Sequence, residues 1–543
     1  MSYIKPVYIV LLYLLIISLV SSLAAADDPP KLVLLVVIDQ GRADYLDRFG
    51  DNFEGGLKWL MDNGKNFTEA HHAHAITATG VGHAALGTGY YPRHNGIIGN
   101  SWYRNEDSES INCVADSSVH AVTTAGDFKG TPRSSRNLQV NGLADWIEAA
   151  DPESKTYGIS RKDRGAILPA GKNPDGAFWY DYDNGQFISS THYYEELPAW
   201  LNEFNREDYP GSYFGKLWEM SESGKSLLTR DDVVQSNYGW FSNQLPHSLG
   251  SAYPFPDSSF YTAFGETPMM DTYLMKLAKR LIENEQLGQD AHPDYLGISF
   301  SVVDSVGHTW GPNSPEMADT FMRLDASLGE LFSFLNEKVG TDQWVVALTA
   351  DHGGLELPEY LEQTNQGGGR LDDEDVACLQ QLGPEFNRSV GDGEDWFVNG
   401  YYLDHTAIGR NNLKREDLEK NAAELLESCS AIRKVWTRTE LENPKDDYFH
   451  TLHYNNFYPG RSPNLLIQWE EKFLASMGTG TGHGSPYRYD THVPLIFAGK
   501  GISKGEYTER VTTVDIPVTF GALVGVEMPG DVDGKDLTGI LNR

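Results

Sequence analysis

Residues 31–39 read Lys-Leu-Val-Leu-Leu-Val-Val-Ile-Asp, seven unbroken apolar residues closed by a carboxylate at Asp39. A run this short, rich in β-branched residues and without alternation, fits a strand buried on both faces, as in the centre of a parallel sheet. Similar runs occur at Leu296–Val303, Trp344–Ala350 and Val493–Ala498, with a weaker one at Lys155–Ser160. Helical patterns separate them. Gln139–Ala150 is amphipathic, Pro268–Glu285 follows a candidate N-cap at Thr267, and Pro315–Lys338 follows Ser314 with proline at the first helical position. The alternation predicts an α/β fold with a doubly wound, mostly parallel sheet flanked by helices.

Two regions interrupt the rhythm. Residues 170–265 are rich in aromatic, Gly and Pro residues. Residues 355–480 carry a Gly- and acid-rich loop and a helical pattern near Leu413–Ser428. Both are expected to be cap insertions over the carboxyl edge of the sheet, within one catalytic domain spanning 27–543. Residues 1–26 read as a signal peptide: Lys5, an apolar run Val7–Val20, and Ala24-Ala25-Ala26 as the cleavage site. A retained anchor is the alternative, because Val7–Ala26 could just span a bilayer. With cleavage, the protein is expected to be periplasmic or secreted, with no stable membrane partner. Of three cysteines, Cys113, Cys378 and Cys429, none has metal-type spacing. One disulfide is expected after export, between Cys378 and Cys429.

The 543 residues carry a formal charge of −34, which argues against nucleic-acid binding because phosphates would be repelled. An anionic substrate would need local positive charge, and metal ions supply it. The strand ends offer ligands. Ile38 leads into Asp39, Val303 into Asp304, and Ala350 into Asp351 and His352. One aspartate there reads as a turn or cap residue, but several carboxylates at one sheet edge, two beside histidines, read as a metal site. Asp304 and His308 have i, i+4 spacing and would share one helix face. Asp351 and His352 are adjacent, and Gly353-Gly354 would permit the sharp turn that lets both serve one ion. His483 lies in the loop GTGTGHGSP, where a histidine lacks a core role. Six mixed N/O ligands suit two Zn2+ ions per chain, each with three protein ligands and open positions.

Thr79, in ATGVGHAALGTG, is the nucleophile candidate. It precedes an Ala-rich stretch, so its hydroxyl would sit at a helix N-terminus, where backbone N–H groups favour anions. Simple N-capping is the plainer reading, but it leaves Gly80 and Gly82 unexplained. Those glycines would let a substrate approach the backbone. His71, His72 and His74 are expected to have no metal role, and His83 and His94 to be structural. Lys162 and Arg164, in SRKDRG, are the remaining cations of interest, although a lone K-x-R is usually a solvated turn.

Taken in order, VVIDQGRADYLDRF, TGVGH, GNSWY, the K-x-R pair, DSVGHTWGP, TADHGG, GTGHGSPY and TTVDIPVTFGALVG resemble the alkaline phosphatase superfamily. The resemblance is nearest to the bacterial phosphate-irrepressible alkaline phosphatases with a threonine nucleophile. It implies hydrolysis of small phosphate monoesters. One zinc would be held by Asp304, His308 and His483, the other by Asp39, Asp351 and His352 with Thr79 coordinating it. Asn100, in GNSWY, would hydrogen-bond a phosphoryl oxygen, and Lys162 and Arg164 would contact the remaining ones. A nucleotide pyrophosphatase/phosphodiesterase would share the ligands, Thr79 and Asn100, without needing Lys162 and Arg164. A sulfatase would need a C/S-x-P-x-R motif at Thr79, and a cofactor-independent phosphoglycerate mutase a serine. From another class, an exported metal- or phosphate-binding protein would not need the complete set of nucleophile and ligands.

Overall fold

The computed structural model describes residues 28–104, 109–126, 131–225, 244–391 and 393–542. The expected signal peptide lies outside them. Ten strands form the central sheet: β1 (Leu32–Ile38), β2 (Lys65–Phe67), β3 (Ala121–Val122), β4 (Thr156–Ser160), β5 (Gly176–Asp181), β6 (Gln186–Ser190), β7 (Asp294–Phe300), β8 (Trp344–Thr349), β9 (Ile496–Gly499) and β10 (Gly505–Tyr507). Their order across the sheet is β10-β2-β9-β8-β1-β7-β4-β5-β6-β3. The five central strands β8, β1, β7, β4 and β5 run parallel.

β1 sits at the middle, and every residue in it is buried. Leu32, Leu34, Val36 and Ile38 face one core, and Val33, Leu35 and Val37 face the other. Successive side chains of a strand point to opposite faces, so a strand covered on both sides must be apolar at every position. The first core is closed by helices that include Pro268–Glu285 and Pro315–Leu335, the second by helices at Leu143–Ala150 and Asp515–Leu523.

The structure departs from the sequence reading in several places. The run ending at Val303 is strand only to Phe300, and Val302 already begins a helix, so Asp304 sits in that helix's first turn. The run at Val493–Ala498 yields β9, which pairs antiparallel with β8 and with β2. A buried run reports burial, not direction. The helix begun at Pro315 ends at Leu335 and passes into a wider π turn over Asn336–Gly340, and Ser314 caps it by accepting from Met317 N–H. Thr267 occupies the N-cap position, but its hydroxyl donates to Phe264 O and does not cap.

Within residues 355–480, a separate apolar cluster gathers Phe386, Leu403, Leu418, Leu426, Val435 and Leu465, beside the helix Arg415–Leu426. The Cys378–Cys429 disulfide ties this region together across 51 residues, with the two Cα atoms 5.9 Å apart. Cys113 is a buried free thiol. No helix among the described residues is long and apolar enough to cross a membrane.

Candidate active site

The carboxyl ends of β1 and β8 and the helix after β7 converge. Asp39 follows β1, and its N–H donates to Phe300 O at the end of β7. Asp351 and His352 follow β8 after one residue. The helix α1 (Val302–Trp310) carries Asp304 and His308 one turn apart, with His308 Nε2 3.2 Å from Asp304 Oδ1. Two groups result whose ligand atoms lie within 4.8 Å of one another: Asp304, His308 and His483, and Asp39, Asp351 and His352. The groups adjoin, since the His352 and His483 rings stack at 3.6 Å. Asp304 is thus delivered by a helix face and not by a strand end.

The histidine tautomers show how the groups are aimed. His308 Nδ1 lies 2.8 Å from Thr481 O, His483 Nδ1 2.7 Å from Thr77 O, and His352 Nδ1 2.8 Å from Gly353 O. A carbonyl only accepts, so each Nδ1 carries a proton and each Nε2 is the nitrogen turned toward the site. All three Nε2 atoms point at carboxylates. That of His483 is 3.6 Å from Asp304 Oδ1, and that of His352 is 3.6 Å from Asp39 Oδ1 and 3.5 Å from Asp351 Oδ2. His352 Nε2 and Asp39 Oδ1 are buried without hydrogen-bond partners. Orphaned acceptors facing one another are costly unless a cation lies between them, and imidazoles fixed through Nδ1–H are the usual support of a metal ligand. The donor set therefore fits metal ions.

The electrostatics agree. Burial lifts the Asp351 carboxyl to about 7, with Asp39 adding to it. Burial, with His308 alongside, holds His483 down to about 4. Burial opposes charge on His308 too, yet Asp304 raises it to about 9. Crowded carboxylates at a buried point need positive charge, and the chain itself supplies some. Lys162 Nζ stands 2.6 Å from Asp39 Oδ2 and 2.5 Å from Asp304 Oδ2. Burial would lower its pKa, but Asp304 and Asp39 hold it above the ordinary lysine value.

Thr79 is the first residue of the helix Thr79–Thr88. Ala78 holds the N-cap position and no side-chain cap bond forms, so the Thr79 hydroxyl is not a cap. Gly80 and Gly82 are packed tightly against protein. A Cβ at Gly82 would lie 2.0 Å from Asp351 O, and one at Gly80 would lie 2.8 Å from Cys113 Sγ. They let the helix approach Asp351 and Cys113 closely. Asn100 Oδ1 accepts Gly80 N–H at 2.7 Å, which leaves the amide's donor end, Nδ2, for another acceptor.

Lys162 is 8% exposed, so the solvated-turn reading fails for it. It precedes the short helix Asp163–Ile167, whose second residue is Arg164. Arg164 is partly buried and reaches Asp163 only at 3.8 Å, while Arg133 holds the other oxygen of Asp163. Gly353 and Gly354 keep ordinary negative-φ backbone. A Cβ at Gly353 would strike Tyr489 O at 2.1 Å, so close packing, not a turn, requires glycine there.

Among the other histidines, His72 is held by Ala350 O and the Thr513 hydroxyl. His74 is buried with neither nitrogen bonded, and His94 pairs with Asp533 at the surface. His71 joins Glu69 and His492 in a third group of ligand type, but Arg488 engages both Glu69 oxygens at 2.8 Å. His83 lies closer to the chemistry than its sequence context suggested. Its Nδ1 is 2.8 Å from Thr79 O and 3.2 Å from Asp351 Oδ2. Two neighbours escaped the sequence reading. Arg161 binds Gly265 O, Glu266 and the Ser305 hydroxyl, and Gln40 contacts Asp304 and Asp351. Their adjacency to Lys162 and Asp39 in the chain was the only signal.

Known proteins are similar to this chain over most of its length. Residues 33–492 match the family described as Type I phosphodiesterase / nucleotide pyrophosphatase. The chain is 31% identical to alkaline phosphatase PafA of Elizabethkingia meningoseptica over 94% of each chain. It is 32% identical to alkaline phosphatase PhoV of Synechococcus elongatus, over 93% of this chain and 92% of that one. The crystal structure of wild-type PafA superposes with a TM-score of 0.83 at 30% identity, covering 95% of this chain and 100% of that one.

Proposed function

Because the chain belongs to the type I phosphodiesterase / nucleotide pyrophosphatase family of the alkaline phosphatase superfamily, we propose that it hydrolyses small phosphate monoesters through a phosphothreonine at Thr79. It is an alkaline phosphatase, a metal-binding hydrolase. The observation that carries the reading is the set of three imidazoles, each pinned through Nδ1–H and presenting Nε2 to a buried aspartate.

Asp304, His308 and His483 would hold one ion, and Asp39, Asp351 and His352 the other, with Thr79 beside the second. The mixed N/O donors favour zinc, two per chain. Bound there, the ions would supply Lewis-acid charge for the attacking and leaving oxygens. Thr79 Oγ forms the bond to phosphorus as the ester P–O bond breaks and the alcohol departs. Water then cleaves the phosphothreonine and frees inorganic phosphate. Asn100 Nδ2, Lys162 and Arg164 bind the non-bridging oxygens. A monoester presents three of these and nearly two charges, a diester only two and one, so the cation pair favours the monoester. The N-terminal signal and the disulfide support export to the periplasm or beyond.

The test is the kcat/KM ratio for a phosphate monoester against a matched diester, before and after chelation. A strong monoester preference that vanishes with chelator and returns with about two zinc ions per chain supports the reading. A diester preference would move the chain to the phosphodiesterase reading, and full activity of metal-free protein would sink the mechanism.

A further inference from the structure

Gln40 is a residue under strain in a place that offers it little. It lies third in a tight turn closed by Gly41 N–H on Ile38 O, at φ +61°, where glycine or asparagine is the usual occupant. It is 1% exposed, and its Oε1 has no hydrogen-bond partner. Two glycines make room for it. A Cβ at Gly307 would lie 1.8 Å from Oε1, and one at Gly354 would lie 3.0 Å from Cγ. A positive φ and an unpaired buried amide oxygen are both unfavourable, and such features persist where surrounding structure enforces them.

Its two N–H groups account for the placement. The backbone N–H donates to Asp351 Oδ1 at 3.1 Å, and Nε2 donates to Asp304 Oδ1 at 3.0 Å. Asp351 belongs to one ligand group and Asp304 to the other. A carboxylate only accepts, so the amide must turn its nitrogen to Asp304 and leave Oε1 stranded. We propose that Gln40 is a positioning residue that tethers one carboxylate of each metal group and so fixes the two groups at a single separation. The left-handed turn aims the backbone N–H at Asp351 while the side chain reaches Asp304 on the neighbouring helix. This inference rests on the two-metal reading above.

The test compares wild type with Gln40→Met, which keeps the volume and the strained backbone but loses the tether to Asp304, and with Gln40→Gly, which relieves the strain and keeps only the backbone N–H. Zinc affinity is measured by competition with a chromogenic chelator, and melting by calorimetry of the metal-free proteins. Both variants should melt within about 4 °C of wild type, yet zinc affinity should fall on the order of 10- to 100-fold, the loss typical of removing a support behind a metal ligand. Because the loss lies in the Asp304 group, the first zinc equivalent should bind nearly as in wild type and the second should weaken. Two wild-type zinc equivalents in both variants, or metal-free melting lowered much further with affinity unchanged, would overturn the tether. Failure of wild type itself to bind two ions would instead refute the metal reading.

Discussion

Lys162→Ala separates what the lysine does for the fold from what it does for the phosphate. Its side chain is 9% exposed and its ammonium lies 2.6 and 2.5 Å from Asp39 and Asp304, so in metal-free protein it balances charge on two buried carboxylates. Removing one partner of a buried ion pair costs about 3–5 kcal/mol. At ~2 °C per kcal/mol for a large domain, the metal-free variant should melt about 6–10 °C below wild type. Zinc should close most of that gap, since a divalent ion takes over the same charges. Turnover should stay low even with zinc, by roughly a hundredfold for a phosphate monoester, because a transition-state contact worth on the order of 3 kcal/mol is gone. Arg164→Ala is the companion. Its nearest carboxylate contact is 3.8 Å, so monoester turnover should fall with little change in melting. The assays are calorimetry with and without chelator, and kcat/KM for a monoester and a matched diester in the single and double variants. Unchanged metal-free melting of Lys162→Ala would refute the charge argument. An unchanged monoester-to-diester ratio in the double variant would refute the role in specificity.

Thr79→Ala should lose nearly all turnover while Thr79→Ser keeps much of it, and mass spectrometry of acid-quenched wild type should find phosphate on Thr79; normal turnover by the alanine variant would rule the assignment out. Replacing Cys378 and Cys429 by serine should cost up to about 4 kcal/mol, from the freedom regained by a 51-residue loop, and calorimetry showing no loss would contradict it. Asp271 is buried, and burial raises its carboxyl to about 7, against smaller downward pulls from Arg161 and from the backbone N–H groups of Val302 and Ser301. Its folded pKa exceeds its unfolded one, so the stability tied to its protonated form is full below about pH 4 and is lost as pH rises through about 7. Asp271→Asn should flatten that decline in chelator-treated melts, and an identical pH slope in the two proteins would exclude Asp271 as its source.

Several features were written in the sequence because they depend on near neighbours. The apolar runs at 31–38 and 344–349 specify strands covered on both faces, and the four-residue spacing of Asp304 and His308 places both on one helix face. The motifs around Thr79, Asn100 and the metal-type residues pointed to the reaction class. The tertiary structure decided what depends on partners far along the chain. β9 runs antiparallel because of where its connections leave it, which hydrophobicity does not record. The Nδ1 protons of His308 and His483 are set by carbonyls 173 and 406 residues away. Gly82 is required by Asp351 O, and Gln40 reaches carboxylates 264 and 311 residues distant. A sequence pattern carries the period of an element and the chemistry of a side chain, whereas the direction of a lone pair is fixed only when the chain has folded its distant parts together.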